Sequence, residues 1–580
     1  MRPRGGQRRR PASARGAAAA VRAGGPAVPG AGGAAGRAAG RAPGGAQPGA
    51  AQGRHGAARA ARWTLSSAAR AAAARRPRAA GRVAGGRASA RPHDAAAHSG
   101  RVRPGGWRGA GQRRVVNLTV VKVGGGLLGG AAELQRVVAA LASRRPTGER
   151  LVVVASALRG VTDSLDQAAR AAVDPRAGAE LERDLVQSLR RRHEDAAGAD
   201  GAAAALGLRT SLDGVSRLLT GIRLTGELTE RTRAQLLAHG ERLAAPLLAE
   251  SLRAAGVDAR AVHAEEAGLV ARGPYAVGSC DLPASTQGLG GLAHELHDRI
   301  LVLTGFYGLD SSGDVVLFGR GGTDYTAGIV AAGLAADRLE LWKDVPGFLS
   351  ADPRAVPSAR LVPELSFDEA CELGYYGARI LHPRCLEPLR GRSLSVRVRP
   401  VEGERDAGTA IVERAAGAPG QVAALAHRSG VAVVTARGAA MVNQPGVAGA
   451  VLSAVGREGI NVDAIAASMT SVSFTVDEAD TPLVRRTLRL LAADGGAGID
   501  EVELRTDVAL VGLVGDGVAA DPSIPARALS CLAGLGSPME LISHGPRDVG
   551  LSCVVPQEAL GPALAALHRT FFESQVPSPR

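Results

Sequence analysis

Lysine is nearly missing from this 580-residue chain: Lys122 and Lys343 stand against 68 arginines. Cysteine is sparse too. Its five positions (Cys280, Cys371, Cys385, Cys531 and Cys553) are irregularly spaced, with no C-x-x-C pair. This argues against a disulfide framework or a cysteine zinc site and fits free thiols in a reducing compartment. No uninterrupted apolar run approaches the roughly 18–20 residues that span a bilayer, so no membrane partner is expected.

Acidic residues are missing from residues 1–114 except for Asp94, whereas the same stretch holds 24 arginines. Taking its +23 from the overall +15 leaves about −8 on residues 115–580. The chain is thus an acidic body with a basic extension, and nucleic-acid binding does not follow from its overall charge. The extension is Ala, Gly, Arg and Pro with almost no Ile, Leu or Phe, so it is expected to be disordered. Three readings of it compete. Arg-rich, acid-poor sequence with a potential basic helix at Ala58–Arg76 suits an organellar transit peptide, although serine is scarce. An Arg/Gly-rich nucleic-acid tail is a second reading, but there is no regular repeat with interleaved aromatics. The plainest reading is upstream GC-rich coding sequence. The corresponding location is cytoplasmic, or a plastid if the extension is a transit peptide.

From Val115 onward, short apolar strands alternate with helices. Strands are predicted at Val115–Val123, Leu151–Ala155, Ile300–Leu303, Val315–Phe318 and Arg338–Trp342. Helices are predicted at Ala131–Ala142, in a region running to about Leu219, at Thr229–Ala255 and at Thr323–Ala335. This rhythm predicts an α/β domain with a mainly parallel sheet over 115–400. Ala415–Gly420 reads as a hinge. Beyond it the order strand, helix, strand, strand occurs twice, predicting two small α+β units at 421–495 and 505–575.

Two glycine-rich turns follow strands directly: Lys122-Val-Gly-Gly-Gly126 and Gly319-Arg-Gly-Gly-Thr-Asp-Tyr-Thr-Ala327. Glycine lets backbone N–H groups approach an anion, and a following helix N-terminus adds positive potential. Either turn alone also suits plain chain reversal. In so lysine-poor a chain, one lysine beside the first turn and the other closing Leu339-Glu-Leu-Trp-Lys343 suggest compact charges aimed at phosphoryl oxygens.

These motifs do not stand alone. Ser156-Ala-Leu-Arg-Gly-Val-Thr162, His239-Gly-Glu-Arg242, Thr304-Gly-Phe306, Trp342-Lys-Asp-Val-Pro-Gly347, Ala351-Asp-Pro-Arg354 and Gly377-Ala-Arg-Ile-Leu-His-Pro383 follow in order. With them the chain resembles the aspartate kinase family, in its monofunctional form, across roughly 116–575. The resemblance implies the amino-acid kinase fold, a mainly parallel sheet sandwiched by helices, followed by two ACT domains. It implies transfer of the γ-phosphate of ATP, with Mg²⁺, to the β-carboxylate of L-aspartate. That step opens lysine, threonine and methionine biosynthesis.

The resemblance also implies roles. Lys122 stabilises the transferring group and Asp324 organises the cluster. Ser156, Thr162, Glu241, Arg320 and Thr323 face the substrate, with Arg320 on its α-carboxylate and Glu241 on its ammonium. Gly124, Gly125, Lys343, Asp344, Arg354 and Arg379 lie on the nucleotide side. No protein side chain is assigned to a metal. Read on their own residues, Glu241 is equally an ordinary helix charge, Thr323 and Asp324 helix caps, Arg354 a surface charge and His382 a structural hydrogen-bonder. The chain departs from the family at Gly126-Leu127, where two hydroxyl residues are usual, at Arg379, where lysine is common, and at Lys343, where threonine is common.

In the C-terminal part, Gln444-Pro-Gly-Val-Ala-Gly449 and Gly459-Ile-Asn-Val-Asp463 resemble an ACT effector loop and strand. Gly446, Val447, Ala448, Asn461, Val462 and Asp463 are the implied effector contacts, with Asp463 free to meet an ammonium. Lysine and threonine both suit such a pocket, and pairing of ACT domains implies a homodimer or larger. The rival readings are a kinase acting on glutamate or acetylglutamate, and an amino-acid sensor without catalysis.

Overall fold

The computed structural model describes residues 118–573, apart from 175, 177, 199–200, 377–379, 415–420, 443, 495–497 and 546–547. The basic extension, the expected hinge at Ala415–Gly420 and Arg379 therefore lie outside the described residues.

The N-terminal half is built on an eight-stranded sheet. From one edge its order is Glu364–Ser366, Thr409–Val412, Ser395–Pro400, Arg338–Lys343, Leu118–Val123, Arg150–Ala155, Ile300–Thr304 and Ala259–Val262. Six strands run parallel, and the first two run against them. Leu118–Val123 lies in the middle, buried along its whole length, as a strand covered on both faces requires. Its hydrophobic run supplies the core, each fully buried Val or Leu contributing about 1.5–3 kcal/mol. Helix Gly322–Gly333 packs on this strand and its neighbour, and helix His239–Ala254 packs over the strands at the other end.

Three boundaries differ from the sequence expectation. The span Thr229–Ala255 forms two helices, Glu230–Leu237 and His239–Ala254, because the chain turns at Ala238. Just past that break Gly240 presses on the Ser156–Thr162 turn, and a Cβ there would fall 2.8 Å from that of Ala157. The eight-stranded sheet also continues past Pro400, since Thr409–Val412 pairs antiparallel with Ser395–Pro400. The first C-terminal strand is longer than Val431–Thr435, running Ala424–Arg437 with an irregularity between Arg428 and Val431.

The C-terminal half is one antiparallel sheet of six strands, ordered Ile465–Ala467, Ser471–Asp477, Ala424–Arg437, Glu501–Val514, Gly550–Pro556 and Leu541–Ser543. The two long central strands join two like units. Each unit adds a helix after its long strand, Val447–Arg457 or Ser523–Ala533, and a second helix after its last strand, Thr481–Ala493 or Leu560–His568. The core of the second unit also takes in Ala351 and Val356 from the N-terminal half. There the Leu425 N–H donates to Ser350 O at 2.8 Å, and Ser350 Oγ lies 2.9 Å from His568 Nε2. His568 Nδ1 in turn lies 2.9 Å from Glu573 Oε1.

Candidate active site

The site forms at the carboxyl ends of the central parallel strands, where open α/β sheets gather ligands. Side chains of adjacent paired residues point to the same face, and period two repeats that face. Lys122 pairs opposite Leu341, so Lys343, two residues on, stands beside it. Asp324 enters from the first turn of helix Gly322–Gly333. Lys122 Nζ lies 2.8 Å from Asp324 Oδ1, and Lys343 Nζ lies 3.4 Å from Oδ2. Both lysines of the chain thus converge on one carboxylate.

This cluster is dry, with the Lys122 and Asp324 side chains each 7% exposed. Burial opposes the Asp324 charge, but Lys122 and Lys343 outweigh it and hold the carboxyl well below its usual range. Burial lowers the Lys122 pKa, and nearby Lys343 lowers it further, while Asp324 works against both. Asp324 does not cap its helix. The N-cap is Gly321, in the left-handed region at φ 69, and no side-chain cap bond is made there. A Cβ on Gly321 would fall 2.2 Å from that of His382, so this close approach requires glycine. His382 itself accepts from the Arg384 N–H at 3.4 Å, as a structural hydrogen-bonder does.

Glu241 comes to the same place from the start of helix His239–Ala254. Its Oε1 accepts from the Ala157 N–H at 3.2 Å, and its buried Oε2 has no hydrogen-bond partner among the described residues. Burial pushes its pKa up to about 8, against the pull of the Ala157 amide, the Thr323 hydroxyl and Lys122. It is therefore no solvated helix charge. Leaving that buried oxygen unpaired is costly, so the fold holds Glu241 there against a desolvation penalty. The Ser156 N–H donates to Val123 O at 3.1 Å, tying the second strand's turn to the first. Thr162 Oγ1 is 3.5 Å from where a Gly240 Cβ would sit, and Thr323 is buried against Gly305. Phe306, in the neighbouring turn, is held at φ 77, a strained value for a bulky residue. Its N–H donates to Thr326 Oγ1 at 3.0 Å.

The first glycine turn packs on this cluster. Gly124 would bring a Cβ within 3.4 Å of Lys122 Nζ, and Gly125 one within 2.6 Å of Ala157 O. Arg320 and Asp344 are exposed at the rim. Arg354 is not drawn in by any described contact. Its side chain closes back on Asp352 at 2.7 Å and is 89% exposed, which fits the surface-charge reading.

In the C-terminal half, Gly446, Val447 and Ala448 line a hollow of about 440 Å³ with Met441, Ser468 and Met469. Asn461, Val462 and Asp463 do not line it. Asp463 is not free for an ammonium as expected: its Oδ2 pairs with Arg428 Nη1 at 2.5 Å, and its Oδ1 accepts from the Tyr375 hydroxyl at 2.5 Å. The cause is the backbone, since the Asp463 N–H donates to Thr475 O at 3.0 Å and turns the side chain toward the catalytic half. Sequence reading passed over Arg159, Tyr375 and His568, whose partners are remote in the chain.

Two glycine turns, two lysines on one carboxylate and a doubled βαββ appendage fit a small-molecule kinase with a regulatory half. Residues 117–400 match the amino acid kinase family, and 434–489 and 511–571 match the ACT domain. Aspartokinase 1, chloroplastic, of Arabidopsis thaliana is 31% identical over 468 residues, covering 78% of this chain and 80% of that protein. The chain belongs to the aspartokinase family. The bifunctional aspartokinase/homoserine dehydrogenase of Haemophilus influenzae is 30% identical over 365 residues, of which the chain spans only 44% of the length. Among solved structures, E. coli aspartokinase III in complex with aspartate and ADP (R-state) is similar at 25% identity. Its TM-score is 0.67, over 78% of this chain and all of that one. The same enzyme with lysine and aspartate (T-state) gives 26% and 0.65, over 78% and 99%.

Proposed function

We infer that this chain transfers the terminal phosphoryl group of ATP to the side-chain carboxylate of aspartate, under control of its ACT half. The observation that carries the reading is the convergence of Lys122, Lys343 and Asp324 beside the unpartnered Glu241. The substrate carboxylate is already ionised at neutral pH, so the reaction needs no general base. One carboxylate oxygen attacks the terminal phosphorus, the bond to the bridging oxygen breaks, and ADP leaves with that electron pair. Catalysis is then positioning and charge neutralisation.

Lys122 meets the transferring group, while Asp324 fixes both lysines. Glu241 receives the substrate ammonium, with Arg320 on the α-carboxylate and Ser156, Thr162 and Thr323 offering hydroxyls. Mg²⁺ arrives as part of the nucleotide substrate; Asp344, exposed and outside any described ion pair, is the acid best placed to meet it. Lysine is the proposed effector, taken by the hollow at Gly446–Ala448. The edge strand Ile465–Ala467, with Ile465 41% exposed, supports pairing of two copies through the ACT sheets.

Hydroxylamine trapping of the acyl phosphate tests the reading. Hydroxamate should form from aspartate, not glutamate or acetylglutamate, and should fall as lysine is added. Folded protein with Mg-ATP that yields none from any acid would sink it.

A further inference from the structure

The first glycine turn has no side-chain donor of its own. Gly124, Gly125 and Gly126 carry none, and Leu127 and Leu128 are buried. A cation nevertheless stands over it. The Arg159 guanidinium donates from Nη2 to Gly126 O at 2.9 Å. The Arg159 carbonyl is held from behind by the Arg192 guanidinium, which also donates to Ser164 Oγ at 3.4 Å. Across Gly126 sits Asp344. An ideal Cβ on Gly126 would lie 3.4 Å from Arg159 Nη2 and 3.4 Å from Asp344 Oδ2.

Arg159 is exposed and has no ion pair with a carboxylate among the described residues. An anchored guanidinium with one N–H group committed to a carbonyl keeps its other donors available. Beside the guanidinium lie the glycine turn, with Lys122 Nζ against Gly124, and Asp344 on the far side of Gly126. Such a fork matches two oxygens of a phosphate.

We propose that Arg159 is a substrate-binding residue that grips the phosphate chain of the nucleotide over Gly124–Gly126. It supplies the side-chain donors that the turn lacks. The inference rests on the kinase reading for the identity of the anion, but not on the identity of the acceptor.

Direct calorimetric titration of the full chain with ADP and Mg²⁺ tests it. Arg159→Ala should weaken ADP binding about tenfold or more, the usual scale for losing a charge-assisted pair. Arg159→Lys should recover part of the loss, and the melting temperature without nucleotide should hold. In the assay, KM for ATP should rise while KM for aspartate stays. Unchanged ADP affinity in Arg159→Ala overturns the proposal. So does a loss matched by a drop in the nucleotide-free melting temperature, which would make the bond to Gly126 merely structural. Should the unaltered chain bind ADP yet give no hydroxamate, the acceptor assignment fails while the Arg159 outcome still reads out.

Discussion

Two helices in this molecule begin the same way and live in opposite surroundings. Gly321, ahead of Gly322–Gly333, and Gly446, ahead of Val447–Arg457, are both left-handed N-caps, at φ 69 and 86. Around Gly321 the space is full: His382 closes on one side, and both lysines reach the carboxylate one turn in. Around Gly446 nothing lies within 4 Å of where a Cβ would be, and the hollow beside it is open. The same backbone device is therefore packed tight in the kinase half and left open in the ACT half.

Several substitutions would break or sharpen that contrast. The largest effect belongs to Lys122→Ala, which should lower kcat by about 10²–10³-fold or more, the scale of losing one preorganised charge partner. Circular dichroism should show the fold retained; survival of turnover would remove Lys122 from the mechanism. Next comes Gly321→Ala against Gly446→Ala. Both incur the left-handed cost of about 1–2 kcal/mol, but only the first also collides with His382. Gly321→Ala should show a melting temperature several degrees below that of Gly446→Ala, and equal values would refute the packing argument.

A gentler probe is pH. Glu241, near 8 in the fold, must be ionised to hold an ammonium, so KM for aspartate should fall as pH rises from about 6.5 to 8.5. The stability sign follows from the same shift. From the ordinary carboxyl value of 4.5 up to about 8, the folded state holds a proton that the unfolded state has lost. Stability therefore declines with rising pH across that window and levels off above it. Glu241→Gln should flatten both profiles. The smallest effect is Arg354→Ala, which should leave KM for ATP within about twofold, because its exposed pair with Asp352 is screened by solvent and contributes little. A tenfold rise would put Arg354 back on the nucleotide.

Much of this is legible in the sequence. The switch from strand–helix alternation to two strand–helix–strand–strand units gave away the fold class, because periodicity is a local property. Lysine rarity drew attention to Lys122 and Lys343, although only sheet register explains why they meet. What stayed hidden depends on distant partners. Asp463 reads like any aspartate in an effector loop until Arg428 and Tyr375 are seen to hold it. Arg159 lay inside a recognised motif, but its value comes from Gly126, 33 residues earlier. The break at Ala238 has no glycine or proline at it to announce it. Two residues on, Gly240 lies against Ala157, a contact with a residue 83 positions earlier that no local signal shows.

The turn carrying Ala351 and Val356 has a practical consequence for anyone wishing to trim the enzyme. Its apolar side chains complete the core of the second ACT unit, and Ser350 is hydrogen-bonded to His568, 218 residues away. The two halves are not beads on a string. Cutting away the regulatory half would lay bare a greasy underside on the very loop that follows Lys343. Point changes within the regulatory half keep that packing intact, whereas deletion removes it.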